Sequence, residues 1–491
     1  MRISRFLIAF IWTFICFVGL ANLSSAADRK PNFVILFADD LGYGDLGVQG
    51  HPKIKTPHID RMAAEGVRLT EFYSAAPTCT PARAALLTGR YPARSGLVRV
   101  LLPKEQWGIP ASEITLAEAL QEQGYSTACI GKWHLGGRKL HRPNKHGFDY
   151  FFGLLFSNDM AVLPLVKWPR LEVLRNDEVI ESPAKVKTLT RRYTEEAVSY
   201  IEQHREEPFF LYLPYTMPHV PLRPSNEFRG KSDFGDYGDV VEEIDWSTGQ
   251  ILQALKDNGV DDDTLVVFTS DNGPWSAGGK TAGAKAVVGK TAGGNQKRQT
   301  RGSAGPLRGV KGTTWEGGMR VPFIARWPGH LPAGSLRSGI SVMMDLFTTL
   351  IELAGGEIPA DREIDGKNIM AMLEGTADSP HSEFYYYFRK RIFAVRSGEW
   401  KLHLFKRIVG PGGRPGDPVR LKNPELYNLR KDPAESEDLA ALHPEIVERL
   451  SGLGQSFHAT VKPVLNIPGR LRSISSGLTT PAPKSEKRAP R

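Results

Sequence analysis

The chain has 491 residues, of which 41% are hydrophobic, so it can bury a large core and is long enough for two domains. Its formal net charge is +9, but the basic residues are concentrated in segments 278–301 and 470–491. This distribution excludes an extended basic face of the kind that binds nucleic acid, and the three cysteines exclude a disulfide-rich scaffold. The two basic segments are typical of solvated flexible stretches or of regions that attract polyanions.

The first 26 residues have the pattern of a secretory signal. Arg2 and Arg5 supply positive charge, residues 6–20 are apolar, and small residues end at Ala26. The alternative is a membrane anchor, but the apolar run is shorter than the roughly 20 residues that a span needs. We therefore expect an exported protein, periplasmic or secreted or, in a eukaryotic cell, lysosomal, without stable membrane insertion.

Residues 32–38 form a continuous apolar run, which is typical of a strand buried on both faces. Asp39 and Asp40 follow it directly, at the end of the strand where α/β proteins bind ligands. Adjacent carboxylates repel each other unless a cation lies between them, and oxygen ligands suit a divalent metal. The pair therefore indicates either a metal site or a solvated acidic loop.

Residues 77–90, PTCTPARAALLTGR, predict a helix with Thr80 as its N-cap and Pro81 in its first turn. Cys79 would then lie just before a helix N-terminus, which carries free N–H groups and favours anions. Arg83, one turn into the helix, adds a permanent positive charge. A reactive side chain beside an anion site indicates attack on a charged ester, and the alternative is a buried cysteine in an ordinary turn.

Residues 124–134 predict a strand that runs into a loop carrying Lys132 and His134. These two side chains share a face if the strand continues, because alternate residues of a strand point the same way. The later segment 147–153 leads to Ser157, which is either a ligand contact or part of a polar turn.

Two further buried strands are predicted at 209–213 and 264–270. His219 follows the first of them, in a loop restricted by prolines on both sides. Asp271 and Asn272 follow the second, so that oxygen ligands again come directly after an apolar strand. We expect them to complete the metal site at the carboxyl edge of the sheet.

The pattern changes after residue 380. Short runs of apolar residues predict antiparallel strands, at 384–388, 392–395, 400–405 and 425–429. A closing helix is predicted over 444–453, and the tail from 471 is rich in Ser, Pro, Lys and Arg, which is typical of disorder.

These motifs resemble the signatures of the type I sulfatases, which depend on a formylglycine. Cys79, Pro81 and Arg83, followed by Leu-Thr-Gly-Arg at 87–90, match the first signature, C-x-P-x-R…TGR. Residues 124–134 match the second signature, G-Y-x-[ST]…G-K-x-H.

Further segments extend the resemblance over most of residues 31–440. The segment 306–322, which contains Lys311, is similar to the arylsulfatase A and N-acetylgalactosamine-6-sulfatase branch of the family. The element 147–153 resembles its GFD-x-F-x-G motif, and LYNL…DPAE at 426–435 resembles its C-terminal LYDL…DP-x-E motif.

The resemblance implies an alkaline-phosphatase-like α/β fold. We expect a mixed, mostly parallel sheet flanked by helices, with a smaller C-terminal α+β domain built on a short antiparallel sheet. The expected parts are a signal peptide, a catalytic domain with a basic Gly/Ala/Lys-rich insertion, a C-terminal subdomain and a disordered tail, at 1–26, 27–380 (insertion 276–304), 381–470 and 471–491.

The resemblance also implies a reaction and its cofactors. The protein is expected to hydrolyse sulfate monoesters, of aryl alcohols or of carbohydrates, after a maturation enzyme has converted Cys79 to formylglycine. The hydrate of formylglycine is the expected nucleophile, and Ca²⁺, with Mg²⁺ as the alternative, is the expected metal. The metal ligands implied are Asp39, Asp40, Cys79, Asp271 and Asn272.

The other site residues implied by the resemblance orient the hydrate, bind sulfate or move a proton. The hydrate is oriented by Arg83 and His134, the sulfate is bound by Lys132, Lys311 and Ser157, and a proton is donated to the leaving alcohol by His219. A disulfide between Cys79 and Cys129 is not expected, because position 79 has to be free for conversion. Cys129 is expected to be a packed, inert thiol.

Two other functions stay open. One is a phosphomonoester or phosphonate hydrolase of the same superfamily. The other is a non-catalytic protein that binds sulfated glycans through the basic insertion at 276–304 while Cys79 stays unconverted. The expected partners are a sulfated small molecule or glycan and the maturation enzyme, with no nucleic acid, and the sequence indicates no particular oligomeric state.

Overall fold

The computed structural model describes residues 29–161, 168–275, 288–289, 298–299, 301–409 and 415–462. The predicted signal peptide, most of the predicted insertion and the predicted disordered tail lie outside these residues. Within the described ranges, every helix is too short or too polar to span a lipid bilayer.

The α-helices are, in chain order, α1 (Pro57–Ala64), α2 (Cys79–Thr88), α3 (Pro92–Ser95), α4 (Leu116–Glu122), α5 (Leu189–Gln203), α6 (Gly235–Asp257), α7 (Glu316–Met319), α8 (Asp345–Leu353), α9 (Met370–Glu374) and α10 (Pro444–Thr460). The β-strands are β1 (Asn32–Ala38), β2 (Val67–Leu69), β3 (Phe72–Tyr73), β4 (Ser126–Lys132), β5 (Tyr150–Leu154), β6 (Val173–Arg175), β7 (Glu178–Glu181), β8 (Phe209–Pro214), β9 (Thr264–Ser270), β10 (Val288–Gly289), β11 (Arg298–Gln299), β12 (Phe323–Arg326), β13 (Ser335–Arg337), β14 (Ser341–Val342), β15 (Glu383–Phe388), β16 (Arg391–Ser397), β17 (Trp400–Val409) and β18 (Pro415–Asn428).

Most of these strands belong to one sheet, in the order β13-β2-β12-β9-β1-β8-β4-β5-β6-β7. Its central strands, β9, β1, β8, β4 and β5, run parallel, while β12 and β6 pair antiparallel on either side of them. Because the carboxyl ends of parallel strands lie at one edge, the loops that follow β1, β4, β8 and β9 meet there. The predicted mixed, mostly parallel α/β architecture is confirmed.

Strand β1 shows why a continuous apolar run was needed at this position. Phe33, Ile35 and Phe37 pack into the core on one face of the sheet, which includes residues of α2, α4 and α8. Val34 and Leu36 pack into the core on the other face, with residues of α1, α5 and α6. Successive side chains of a strand point to opposite faces, so a strand covered on both faces has to be apolar throughout.

Helix α2 starts earlier than the sequence suggested. It begins at Cys79, with Thr78 in the N-cap position, so the prediction of Thr80 as N-cap is wrong. The hydroxyl of Thr80 instead donates to the carbonyl of His134 at 2.9 Å. Pro81 is therefore the third helical residue, where a missing N–H costs nothing because the first four N–H groups have no partner within the helix.

Strand β4 ends at Lys132, and His134 has a φ of +60°, in the left-handed region. The strand therefore does not continue through His134, and the condition under which the two side chains would share a strand face is not met. Lys132 lies at the carboxyl edge of the sheet as the last residue of β4, and His134 lies in the loop that follows.

The C-terminal part is a four-stranded antiparallel sheet, β15–β18, as predicted. Phe457 of α10 stacks on Tyr385 of β15, with ring centroids 3.9 Å apart. Arg94 of α3 pairs with Asp365 at 2.9 Å and donates to the carbonyl of Thr460 at 3.1 Å. Phe457 thus packs α10 on the C-terminal sheet, and the hydrogen bond from Arg94 ties the end of the helix to the main body.

Candidate active site

Four polar side chains meet where β1 and β9 end. Asp39 and Asp40 follow β1, Asp271 and Asn272 follow β9, and all four are fully buried. The N–H of Asp40 donates to Asp271 Oδ1 at 3.0 Å, and Asn272 Nδ2 donates to Asp40 Oδ1 at 2.8 Å. These contacts hold Asp40 at a φ of +69°, which residues other than glycine rarely adopt. The structure thus brings together the predicted oxygen ligands from two parallel strands.

Cys79 lies against this group at the start of α2. Its Sγ is 3.4 Å from Asp39 Oδ1 and 3.2 Å from Lys311 Nζ, and the residue is buried. Burial raises the pKa of the Cys79 thiol well above its ordinary value, although the nearby ammonium groups of Lys132 and Lys311 oppose the shift. A neutral thiol is a poor nucleophile, so this side chain would need chemical activation to attack an ester.

Arg83 lies behind Cys79 and has no exposed surface. It donates to the carbonyl of Lys132 at 2.8 Å, contacts Asp271 Oδ2 at 3.2 Å and lies 3.6 Å from Asp39 Oδ1. Burial opposes its charge, but the nearby Tyr212 and the two carboxylates raise the pKa of Arg83, so it stays charged. Burial and the charge of Asp39 raise the pKa of Asp271 to about 7.

Two buried lysines complete the ring of charges. Lys132 Nζ pairs with Asp39 Oδ2 and donates to Ser157 Oγ at 3.1 Å. Lys311 Nζ lies 2.6 Å from Asp40 Oδ1. Burial would raise the pKa of Asp39, but Lys132 and the other nearby cations hold it well below its usual range. Burial would lower the pKa of Lys311, but Asp40 and its neighbours hold it well above.

Both predicted histidines border the cluster. His219 Nε2 lies 3.6 Å from Asp40 Oδ2, and its Nδ1 lies 2.5 Å from the carbonyl oxygen of Val220, which can only accept, so Nδ1 carries a proton. His134 Nε2 donates in the same way to the carbonyl of Leu101 at 3.1 Å. His134 Nδ1 is buried and, within the described residues, has no hydrogen-bond partner. Burial and nearby cations lower the pKa of both rings.

The cluster offers atoms that suit a metal ion. Ligand atoms of Asp39, Asp40, Cys79 and His219 lie within 4.8 Å of one another. Asp40 Oδ2 and Asn272 Oδ1 are buried and accept no hydrogen bond from the part of the chain that the structure describes. Buried oxygens without a partner are unfavourable, and carboxylate and amide oxygens are the ligands that hard divalent cations prefer. The residues present therefore fit a divalent cation.

Two residues at the site were not predicted. Asn158 donates to the carbonyls of His219 at 3.3 Å and of Pro221 at 3.4 Å, and so fixes the loop after β8. Its place next to a predicted site serine was the available signal. The ring of Trp275, half-buried, has its centroid 5.9 Å from Lys311 Nζ. Nothing in its local pattern distinguishes it from other aromatic residues.

Comparison with known proteins matches both parts of the chain. Residues 31–356 match the family model of the sulfatases, and residues 379–486 match the model of the C-terminal region of aryl-sulfatase. N-acetylgalactosamine-6-sulfatase of Rattus norvegicus is 43% identical, with 92% of this chain and 89% of that protein covered. Steryl-sulfatase of Homo sapiens is 34% identical, with 95% and 93% covered.

The fold is also that of a solved sulfatase. The crystal structure of PsFucS1 sulfatase from Pseudoalteromonas sp. superposes with a TM-score of 0.78 at 30% identity, over 91% of this chain and 93% of that one. The relatives named here all carry sulfatase names, so the comparisons favour neither a phosphate ester hydrolase nor a binding protein without activity. On the family model, the identities and the shared fold, the chain is an enzyme that belongs to the sulfatase family.

Proposed function

We propose that the protein hydrolyses sulfate monoesters with the oxidised form of Cys79, a formylglycine, as its nucleophile. The observation that carries this proposal is the surroundings of Cys79, whose Sγ contacts the carboxylate of Asp39 and the ammonium of Lys311 at once. An inert core cysteine packs among apolar side chains, as Cys129 does in β4. Apolar packing does not explain why the thiol of Cys79 is buried among charges, which supports a chemical role for residue 79.

The hydrate of formylglycine would supply one hydroxyl that attacks sulfur while the S–O bond to the alcohol breaks. Its second hydroxyl would then lose a proton, which breaks the C–O bond to sulfate and regenerates the aldehyde, and water restores the hydrate. Arg83 is fixed by the Lys132 carbonyl and by Asp271, so its charge is in place beside residue 79 before the substrate arrives. His134 keeps Nδ1 without a partner among the described residues, so it is available to accept a hydrogen bond from a hydroxyl at position 79.

Lys132 and Lys311 bind the sulfate oxygens. Both ammonium groups are buried, and each is held by an aspartate, so neither has to be oriented when the substrate binds. A sulfate group bound beside residue 79 would meet both charges as negative charge develops on its oxygens, in an interior where such interactions are strong. Ser157, which accepts from Lys132, adds a hydroxyl that can donate to a sulfate oxygen.

A divalent cation, Ca²⁺ in preference to Mg²⁺, supplies further positive charge that polarises the sulfate ester. The residues that would hold it are Asp39, Asp40, Asp271, Asn272 and residue 79. The unpartnered buried oxygens of Asp40 and Asn272 support this assignment, because both lack a protein donor among the described residues.

His219 donates a proton to the leaving alcohol oxygen. Since Nδ1 donates to the Val220 carbonyl, the atom that faces the site is Nε2. This atom can donate only when the ring carries both protons. Burial and the charge of Lys311 lower the pKa of His219, while the carboxylate of Asp40, 3.6 Å away, opposes this shift and favours the protonated ring that the proposed role requires.

We further propose a sulfated carbohydrate as the substrate and export as the route to it. The relative with 43% identity is named for a sulfated amino sugar, which favours a sugar over an aryl or steroid ester. Export and conversion of Cys79 by a maturation enzyme follow from the signal-like pattern at 1–26 and from the first sulfatase signature.

The proposal is tested by mass spectrometry of the purified protein together with turnover of 4-nitrophenyl sulfate and 4-nitrophenyl phosphate. We expect an aldehyde or its hydrate at position 79, release of sulfate, and much slower release of phosphate. Cys79→Ala is expected to lower kcat/KM by about 10³-fold or more, because it removes the nucleophile. Cys129→Ala, the matched control, is expected to keep the activity of the wild type.

Two outcomes would contradict the proposal. The first is an unmodified thiol at position 79 in protein that turns over at full rate. The second is a Cys79→Ala variant that stays folded and retains the activity of the wild type.

A further inference from the structure

The loop that carries Lys311 is attached to two neighbouring segments of the main body. This segment, residues 308–316, is called the lysine loop here. The N–H of Lys311 donates to the carbonyl of Pro274 at 3.0 Å, and the N–H of Gly312 donates to that of Pro77 at 2.8 Å. These bonds fix the middle of the loop beside the segments that carry Asn272 and Cys79. They do not involve the two ends of the loop.

Both ends of the lysine loop are bound by one residue of the C-terminal part, Glu435. Its carboxylate Oε2 accepts from the N–H of Glu316 at 2.7 Å, and its carbonyl oxygen accepts from Arg308 Nη1 at 2.6 Å. Glu435 therefore links the start of the loop to its end, in addition to the direct bond from the N–H of Gly317 to the carbonyl of Arg308 at 2.7 Å. Arg407 of β17 adds a third contact from the C-terminal part, since its Nη1 donates to the carbonyl of Gly312 at 2.7 Å.

Glu435 is itself rigidly held. Its Oε1 pairs with Lys401 Nζ at 2.9 Å and with His403 Nε2 at 2.8 Å, and all three side chains are fully buried. Its φ is +53°, a conformation that non-glycine residues rarely adopt unless their surroundings impose it. An ordinary turn at this position would use glycine or asparagine, so the carboxylate itself has a role there.

The same residue closes the C-terminal motif LYNL…DPAE, which the proposed mechanism does not use. We propose that Glu435 is a positioning residue that holds the ammonium of Lys311 against the sulfate through the lysine loop. The inference rests on the proposed function, in which Lys311 binds the sulfate oxygens. Glu435 contacts no reacting atom, so its effect on turnover has to pass through residues 308–316.

A positioning role for Glu435 predicts a local change in the lysine loop, which a residue that only stabilises the fold does not. If the lysine loop loosens, the backbone N–H groups of 308–316 exchange faster with solvent and Lys311 spends less time in its productive position. A residue that only stabilises the fold would lower the melting temperature without a local change in this loop. Asp365 supplies the matched control, because it is a buried carboxylate that binds Arg94 and the N–H of Tyr91 and does not touch the lysine loop.

The experiment compares Glu435→Gln with Asp365→Asn in the full-length mature protein. We expect Glu435→Gln to reduce kcat/KM for 4-nitrophenyl sulfate at least tenfold and to accelerate hydrogen exchange in peptides covering 308–316. Asp365→Asn is expected to leave both within about twofold of the wild type. If Glu435→Gln fails to fold, Arg308→Met removes the other bond to Glu435 and is expected to act in the same direction.

A double-mutant cycle shows whether the effect passes through Lys311. In the Lys311→Ala background, Glu435→Gln is expected to slow turnover by no more than about twofold, because the group it positions is gone. The inference would be overturned if Glu435→Gln slowed turnover by the same factor with Lys311 present and with Lys311→Ala. It would also be overturned if hydrogen exchange over 308–316 were unchanged in Glu435→Gln. Absence of sulfate release by the wild type would instead refute the proposed function, while the exchange measurement would still test the contact.

Discussion

Replacing Lys401 with methionine probes the buried charges that join the C-terminal sheet to the main body. Lys401 Nζ lies 2.9 Å from Glu316 Oε1 and 2.9 Å from Glu435 Oε1, and none of the three side chains is exposed. The ammonium also lies 4.0 Å from the ring centroid of Tyr386. Methionine keeps much of the volume but removes the cation that both buried carboxylates share.

The expected loss follows from the need to neutralise one of these carboxylates. Protonating a carboxyl group with an ordinary pKa of about 4.3 takes about 3.7 kcal/mol at pH 7 and about 1 kcal/mol at pH 5. The value at pH 7 agrees with the 3–5 kcal/mol, roughly, that breaking a buried ion pair costs. Such a loss is a large part of a total stability of about 5–15 kcal/mol.

The stability deficit of Lys401→Met is also expected to depend on pH, in a direction that follows from the pKa of Glu316. Burial would raise the pKa of Glu316, but Lys401 and other nearby cations hold it at about 2. In the wild type this pairing stabilises the fold above a pH of about 4.3, and the stabilisation is lost as the pH falls toward 2. In Lys401→Met the folded state instead takes up a proton, so its deficit relative to the wild type shrinks as the pH falls from 7 to 5.

The assay is urea unfolding of the wild type and the variant at pH 7, 6 and 5, followed by tryptophan fluorescence. Lys406→Met is the control, because Lys406 pairs with Glu425 at 2.5 Å but both side chains are partly exposed. Its expected loss is about 1 kcal/mol or less at every pH. A deficit for Lys401→Met below about 1 kcal/mol at pH 7, or one that grows on acidification, would refute the reasoning.

Three further predictions concern the metal, the C-terminal helix and the tight packing behind the site. Exhaustive chelation is expected to lower both turnover and the melting temperature, and added Ca²⁺ is expected to restore both, because a metal that binds the folded state stabilises it. Unchanged turnover and melting temperature after chelation would argue against a metal. Phe457→Ala is expected to cost about 2 kcal/mol in urea unfolding by removing the stack on Tyr385, and no measurable loss would mean that α10 is not held by this contact. Gly273→Ala is expected to reduce turnover at least tenfold, because its Cβ would lie 1.9 Å from the carbonyl oxygen of Gly317, whereas Gly452→Ala, with open space around it, is expected to leave turnover unchanged.

The parts of the site that local pattern predicts best are those at strand ends. Asp39 and Asp271 each follow a run of apolar residues, and the two strands are parallel neighbours in the sheet. Because parallel neighbours share their carboxyl edge, the order of apolar run and polar pair is enough to expect the two aspartates near each other. Cys79 was predicted beside a helix start for a similarly local reason.

Conformations that depend on distant contacts were not visible in the sequence. Asp40, His134 and Glu435 all have positive φ values without being glycine, and no local residue preference indicates this. Thr80 was predicted as an N-cap because threonine favours that position, but its hydroxyl is taken by the His134 carbonyl. A tertiary hydrogen bond thus outweighed a local preference.

The buried ion pairs could not be predicted from local sequence patterns either. Glu316 and Lys401 are 85 residues apart, and each looks like an ordinary surface charge in its own segment. Only the docking of the antiparallel sheet on the main body removes both from water. Such pairs form only when segments distant in the sequence pack together, so motifs and hydrophobic periodicity do not predict them.

The burial of Cys79, only 1% exposed, has a consequence for how the protein is made. If Cys79 is converted as proposed, an enzyme that oxidises this side chain could not reach it once α2 is packed, so the conversion would have to compete with folding while the nascent chain is still open. The share of active molecules in a preparation would then be decided during synthesis, and later addition of the maturation enzyme to folded protein would not raise it.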